Sequence, residues 1–183
     1  MKVKGILLGF VICLMLGLCV NFTGSQAKEV SVNRIKRQCG SERAARRSMK
    51  TISFKAWDIS NGKKVTRIRK VTVHKEIANR IKKVFNTVYK GKEKFPIHEI
   101  GGFDWRGNSS SLHSQGLAVD INWTENYMIV GKKVLCGSFW KPGKNPYSIK
   151  NNGDLMRAMK KYGFKQCIFG SRRDYMHFSV NGR

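Results

Sequence analysis

The stretch SLHSQGLAVDIN, residues 111–122, joins a bend to a strand. In its second half Leu117, Val119 and Ile121 fall on one side of an extended chain, and Ala118, Asp120 and Asn122 fall on the other. With the aliphatic side against a core, Asp120 faces a cleft. Gly116 and the small serines ahead of it let the backbone turn sharply, which swings the imidazole of His113 over the same cleft. A short strand entered through a glycine bend points to a mixed fold with a small sheet.

The flanking sequence agrees with that reading. TISFKAWD from Thr51 alternates Ile52, Phe54 and Ala56 with polar residues, Asn61-Gly62 supplies a tight turn, and KKVTRIRKVTV resumes the alternation, so a β-hairpin opens the domain. After Val73 the period lengthens: Ile77, Ile81, Val84, Phe85 and Val88 fall at helical spacing, with His74 at the helix start and Gly91 at its stop. FPIHEIGGF (95–103), KQCIF and MHFSV read as further strands. NNGDLMRAMKKYGF reads as a second helix, with an Asn or Asp cap and Gly163 as its stop. Strands and helices interleave without repeated βαβ units, which predicts an α+β domain with a small, largely antiparallel sheet and flanking helices.

A third polar group for the cleft comes from DYMHFS, residues 174–179, with His177 in mid-strand. Two histidines and one carboxylate are a standard protein ligand set for catalytic zinc, leaving the fourth tetrahedral position to water. Peptide hydrolysis also needs a carboxylate to take the water's proton and pass it to the leaving amine. Asp174 is the candidate. Residues three apart on a regular strand face opposite ways, so this role requires Asp174 to sit on a bend before the strand. Each residue also has an ordinary reading: a hydrogen-bonded structural histidine, a turn-capping aspartate, and for Arg106 a surface ion pair with Asp104. His98 has no partner at a useful spacing and reads as a surface or cleft-edge residue.

SLHSQGLAVD resembles the S-x-H-x-x-G-x-A-x-D segment of the zinc D-alanyl-D-alanine carboxypeptidases of the VanY type, and DYMHFS resembles their acid-x-x-His segment. The likeness extends through GGFDWR, NWTENY and KPGKNPYSI, from about Thr51 to the last residue. It implies a hedgehog/D-Ala-D-Ala peptidase-like fold. It also implies Zn2+ held by His113, Asp120 and His177, Asp174 as the base, and Arg106 as the cation that steadies the substrate carbonyl or carboxylate. Ser111, Trp105 and Tyr175 are the candidate substrate contacts, and peptidoglycan stem peptides the substrate. The chain departs from the family pattern at Phe169-Gly170-Ser171-Arg172-Arg173, where relatives often carry Trp-Gly-Gly-x-Trp.

Composition bounds the setting. Lys and Arg number 36 against 11 Asp and Glu, for a formal charge of +25, which favours an anionic polymer or surface as partner. Residues 1–27 place Lys2 and Lys4 before an apolar run and end in Ser25-Gln26-Ala27, the pattern of a secretory signal peptide or, if uncleaved, an N-terminal membrane anchor. Residues 28–50 are dense in Lys and Arg and read as a basic linker, leaving 51–183 as the peptidase domain. An exported protein, secreted or held in the cell envelope, meets anionic wall polymers first, and no intracellular nucleic acid is expected. Cys39, Cys136 and Cys167 allow at most one internal bridge. Two functions follow: a stem-peptide peptidase, either a D-alanyl-D-alanine carboxypeptidase or an endopeptidase, or a non-catalytic basic binding module on the same fold.

Overall fold

The structure, a computed structural model, describes residues 30–107 and 110–183. The expected leader, residues 1–27, lies outside the described residues. No helix among the described residues is long and apolar enough to cross a membrane.

The order of elements is α1 (Val32–Gln38), α2 (Glu42–Arg47), β1 (Met49–Ser60), β2 (Lys63–His74), α3 (Lys75–Lys90), β3 (Ile100–Gly101), β4 (Ala118–Ile121), β5 (Asn126–Val130), β6 (Lys133–Trp140), α4 (Asp154–Lys161), β7 (Lys165–Phe169) and β8 (Arg172–Ser179). The fold is α+β and every strand pair is antiparallel, as the sequence pattern predicts.

β1 and β2 form the expected hairpin, closed by Asn61 and Gly62 with φ of 49° and 70°, the left-handed pair that a two-residue turn needs. Its buried face, Ile52, Phe54 and Ala56 with Val71 and Val73, meets the apolar stripe of α3. Phe54 stacks on Phe85 with centroids 4.0 Å apart. His74 caps α3 as expected, its Nδ1 accepting the Glu76 N–H at 3.2 Å, and Gly91 ends the helix. Buried Leu155, Ala158 and Met159 seat α4. Its N-cap is Gly153, which brings no capping side chain, rather than the expected Asn or Asp. Asp154 and Glu93 instead accept each other's backbone N–H, each at 2.8 Å.

The linker reading of 28–50 is corrected from Val30 onward. Ser31 and Ser41 cap two short helices, and Ile35, Cys39 and Ala45 lie in the core. The Lys- and Arg-rich faces of these helices stay in solvent, which is why composition alone suggests a linker. Arg34 also reaches back to Glu76 on α3, at 2.6 Å.

The second sheet has six strands in the order β3-β4-β8-β5-β6, with β7 on the other edge of β8. β4 and β5 share one edge of β8, β5 along residues 172–174 and β4 along 177–179. On the β7 side, Gln166 pairs with Phe178 and the next residue, Cys167, pairs with Asp174. The three residues of β8 between those pairings form a bulge. Cys136, Met128, Asp174 and Cys167 lie side by side across β6, β5, β8 and β7. Cys136 and Cys167 are thus three strands apart, roughly 14 Å at the usual strand spacing, beyond the reach of a disulfide. All three described cysteines are free.

Candidate metal centre

Three elements deliver the three candidate ligands. β4 carries Asp120 directly opposite His177 of β8 in register. Leu117, Val119 and Ile121 are fully buried while Asp120 lines the cleft, as the alternation requires. His113 comes from a 3-10 turn, Leu112–Gln115, that ends at Gly116 with φ of +62°. A Cβ on Gly116 would stand 2.6 Å from the His74 nitrogen, so the bend into β4 requires glycine there.

The donor atoms converge. His113 Nε2 lies 3.1 Å from His177 Nδ1 and 3.2 Å from Asp120 Oδ2, and His177 Nδ1 lies 3.0 Å from Asp120 Oδ1. The outer ring nitrogens fix both tautomers. His113 Nδ1–H donates to the Gly102 carbonyl at 2.6 Å, and His177 Nε2–H donates to the Arg183 carbonyl at 3.1 Å. With those protons outward, each imidazole can turn a lone pair towards the other and towards the carboxylate, an arrangement that suits a cation at its centre. Gly102 can serve in this way because its backbone lies against β2, where a Cβ would meet the Thr72 carbonyl at 2.3 Å.

Protons report the same field. Burial alone would raise the Asp120 carboxyl, but when the inner ring nitrogens carry protons in place of an ion, hydrogen bonds and charge from His113 and His177 outweigh it and hold the group well below the usual carboxylate range. Burial disfavours the His113 imidazolium, but Asp120 and the Gly102 carbonyl outweigh it and raise the ring. The donor set also fits zinc. Four ligands at Zn–N and Zn–O lengths of about 2.0–2.1 Å form a tetrahedron with edges of roughly 3.3 Å, close to the separations between these atoms.

Asp174 borders the same cleft of about 1020 Å³, with Arg106 and Ser111. It lies within β8 rather than on a bend ahead of it, which corrects the sequence expectation. The bulge between Asp174 and Phe178 breaks the strand parity and turns Asp174 and His177 to one side. Asp174 is buried, Arg172 Nη2 donates to its Oδ2 at 3.0 Å, and its Oδ1 has no partner. Burial pushes this carboxyl up, the Asp120 charge adds to that, and His177 and Arg172 oppose it.

Arg106 stands at the exposed mouth with Nε 2.7 Å from Asp104 Oδ2. Both side chains are more than half exposed, so the pair contributes about 0–1 kcal/mol and leaves the guanidinium easy to recruit. Trp105 packs at the edge of the core and does not line the cleft. Neither does Tyr175, which stacks on Trp140 at 3.9 Å, because it is one strand position from Asp174. Those two substrate-contact expectations are not met by the geometry.

Three features went unread in the sequence: the Gly102 and Arg183 carbonyls behind the histidines, and Arg172 behind Asp174. Backbone carbonyls leave no sequence signal. Arg172 does leave one, standing two residues before Asp174 and so on the same strand face. His98, read as partnerless, lies 2.9 Å from Glu125 Oε2 and against Tyr147, partners that the fold brings from far along the chain. His98, Glu99 and Glu125 form a second group compact enough for one ion. Its polar atoms are already matched, His98 to Glu125 and Glu99 to Thr124.

The sheet carries a polar cleft bordered by two histidines and two aspartates. Residues 105–180 match the family model described as D-alanyl-D-alanine carboxypeptidase, a span that includes His113, Asp120, Asp174 and His177 and bears out the family resemblance over that part of the chain. No curated protein and no solved structure gives a match.

Proposed function

We propose that the protein is an exported zinc peptidase that acts on peptidoglycan stem peptides, removing a terminal D-alanine or cutting within the stem. One observation carries the reading: His113 Nε2 and His177 Nδ1 lie 3.1 Å apart and each lies within 3.2 Å of one of the two Asp120 oxygens, with a buried carboxylate on the same cleft that has one oxygen free of partners. His113, Asp120 and His177 hold the metal. Zinc so held supplies Lewis acidity and lowers the pKa of a bound water.

Asp174 holds and moves the proton. Its Oδ1 takes a proton from the attacking water and gives it to the departing amine, while Arg172 keeps Oδ2 fixed so that the active oxygen does not wander. Burial helps in the second half, because it raises the carboxyl above its ordinary value and so favours its holding the proton for delivery. Arg106, at the mouth, exchanges Asp104 for the negative end of the substrate, and Ser111 offers a polar contact beside it. The net charge of +25 concentrates the protein on anionic wall polymers and raises encounter rates at low salt.

The test is a digest of a defined stem pentapeptide followed by mass spectrometry, with and without a chelator. Chelator-sensitive loss of one D-alanine, or a cut inside the stem, is the expected result. An intact peptide after incubation with protein that carries one zinc per chain would favour a binding module instead.

A further inference from the structure

Seven large apolar side chains stand exposed among the described residues, and five of them cluster: Val130, Val134 and Leu135 on the β5–β6 hairpin, and Ile168 and Phe169 on the β7–β8 hairpin. Phe169 is 53% exposed and Val134 and Leu135 are 47% exposed. The two hairpin tips are side by side, joined by the Gly131 N–H donating to the Ser171 carbonyl at 3.0 Å. Gly131 and Gly170 lead the two turns with φ of +58° and +53°, and a Cβ at either would meet nothing within 4 Å, so both tips project freely.

Pairing across the four strands sets the chemistry of this edge. Phe169, Arg172, Val130 and Lys133 form one row, and Ile168, Arg173, Ile129 and Val134 form the next. Bases alternate with large apolar groups in the first row, the second sets Arg173 among three apolar groups, and Lys132 is added at the turn. The sequence has no Asp or Glu between Glu125 and Asp154 or between Asp154 and Asp174. The first carboxylate inward, Asp174, is taken by Arg172.

We propose that the paired tips form a lip that docks on an anionic phospholipid bilayer, the apolar side chains entering the headgroup boundary and Lys132, Lys133 and Arg173 meeting lipid phosphates. Charge decides that the surface is anionic. The apolar groups decide for a bilayer over a soluble polyanion, which would match the bases and leave Phe169, Leu135 and Val134 in water. Ile168, Phe169 and Arg172 also border the cleft, so docking sets the cleft's edge at the membrane surface. The inference stands apart from whether the cleft holds zinc or cuts a peptide.

The test is hydrogen–deuterium exchange on the full chain with phosphatidylcholine vesicles, with or without phosphatidylglycerol. Because the N-terminal apolar run is present in every sample, the readout is local: exchange at residues 130–135 and 168–172. Slower exchange at both tips with phosphatidylglycerol vesicles, weaker with phosphatidylcholine alone, is expected. In Leu135→Asp/Phe169→Asp the protection should fall about ten-fold or more, the effect of withdrawing two large apolar groups from the boundary, while the thermal melt stays unchanged because both sites are exposed. Unchanged exchange at the tips on vesicles that carry the protein would overturn the proposal. So would equal protection by long-chain polyphosphate in the parent and the double variant, which would make the lip a polyanion surface.

Discussion

Arg172 and Asp174, two residues apart on β8, share one face of the strand: Arg172 Nη2 holds Asp174 Oδ2 at 3.0 Å and leaves Oδ1 buried with no partner. The ion pair fixes the carboxylate, and its charge keeps the group more acidic than burial alone would. Asp174→Asn should therefore retain zinc and lose roughly 10²–10⁴-fold in kcat, the usual contribution of a positioned acid–base group. Loss of metal from that variant would show that Asp174 is a ligand.

Arg172→Met removes a charge that lowers the Asp174 pKa. As the proposed base, Asp174 works when ionised, so activity should be present above its pKa and fall as pH drops through it. With the pKa raised further, the acid limb of the kcat/KM profile should move to higher pH. An unmoved limb with an equally lowered plateau would mean that Arg172 acts on the substrate rather than through Asp174.

Ile35 is fully buried although it lies in a basic stretch. Ile35→Ala should cost about 2–5 kcal/mol in urea unfolding, the range for truncating a core isoleucine. A change below about 0.5 kcal/mol, the scale of a surface substitution, would return residues 30–50 to the status of a linker.

His74 is fully buried, Nδ1 accepts the Glu76 N–H, and Nε2 has no partner. Burial lowers its pKa below the ordinary 6.5, and Lys75 and Arg34 add to this against Glu76. The unfolded chain then takes up the proton first as pH falls. The contribution of the neutral ring is complete above about 6.5 and is lost as pH descends from there through the lowered folded value. Melting curves between pH 7.5 and 5.5 should show a shallower loss of Tm in His74→Asn than in the parent. Parallel losses would assign the acid sensitivity to other groups.

How much of this was legible follows from where the information lies. The β1–β2 hairpin and α3 are written locally, in Asn61-Gly62, in the alternation of Ile52, Phe54 and Ala56, and in the spacing from Ile77 to Val88. The α1 and α2 helices each bury a single residue, Ile35 and Ala45, which sets no period, and helices this short are held by tertiary contacts. β5 and β6 were not anticipated: register shifts interrupt their alternation, and several of their apolar residues face solvent. The ligand triad was legible because residue types and order carry it. That Asp174 and His177 share a side was not, since the bulge that permits it is a property of the β7–β8 pairing.

The most direct measurement is a zinc titration against a competing chromophoric chelator, on the parent chain and on His113→Ala and His177→Ala. One equivalent per chain in the parent is predicted. Affinity should fall steeply in both variants, with a lower Tm, because metal binding to the folded site is folding free energy. A parent chain that takes up no zinc, or variants that bind it as tightly as the parent, would contradict a metal centre built from His113, Asp120 and His177.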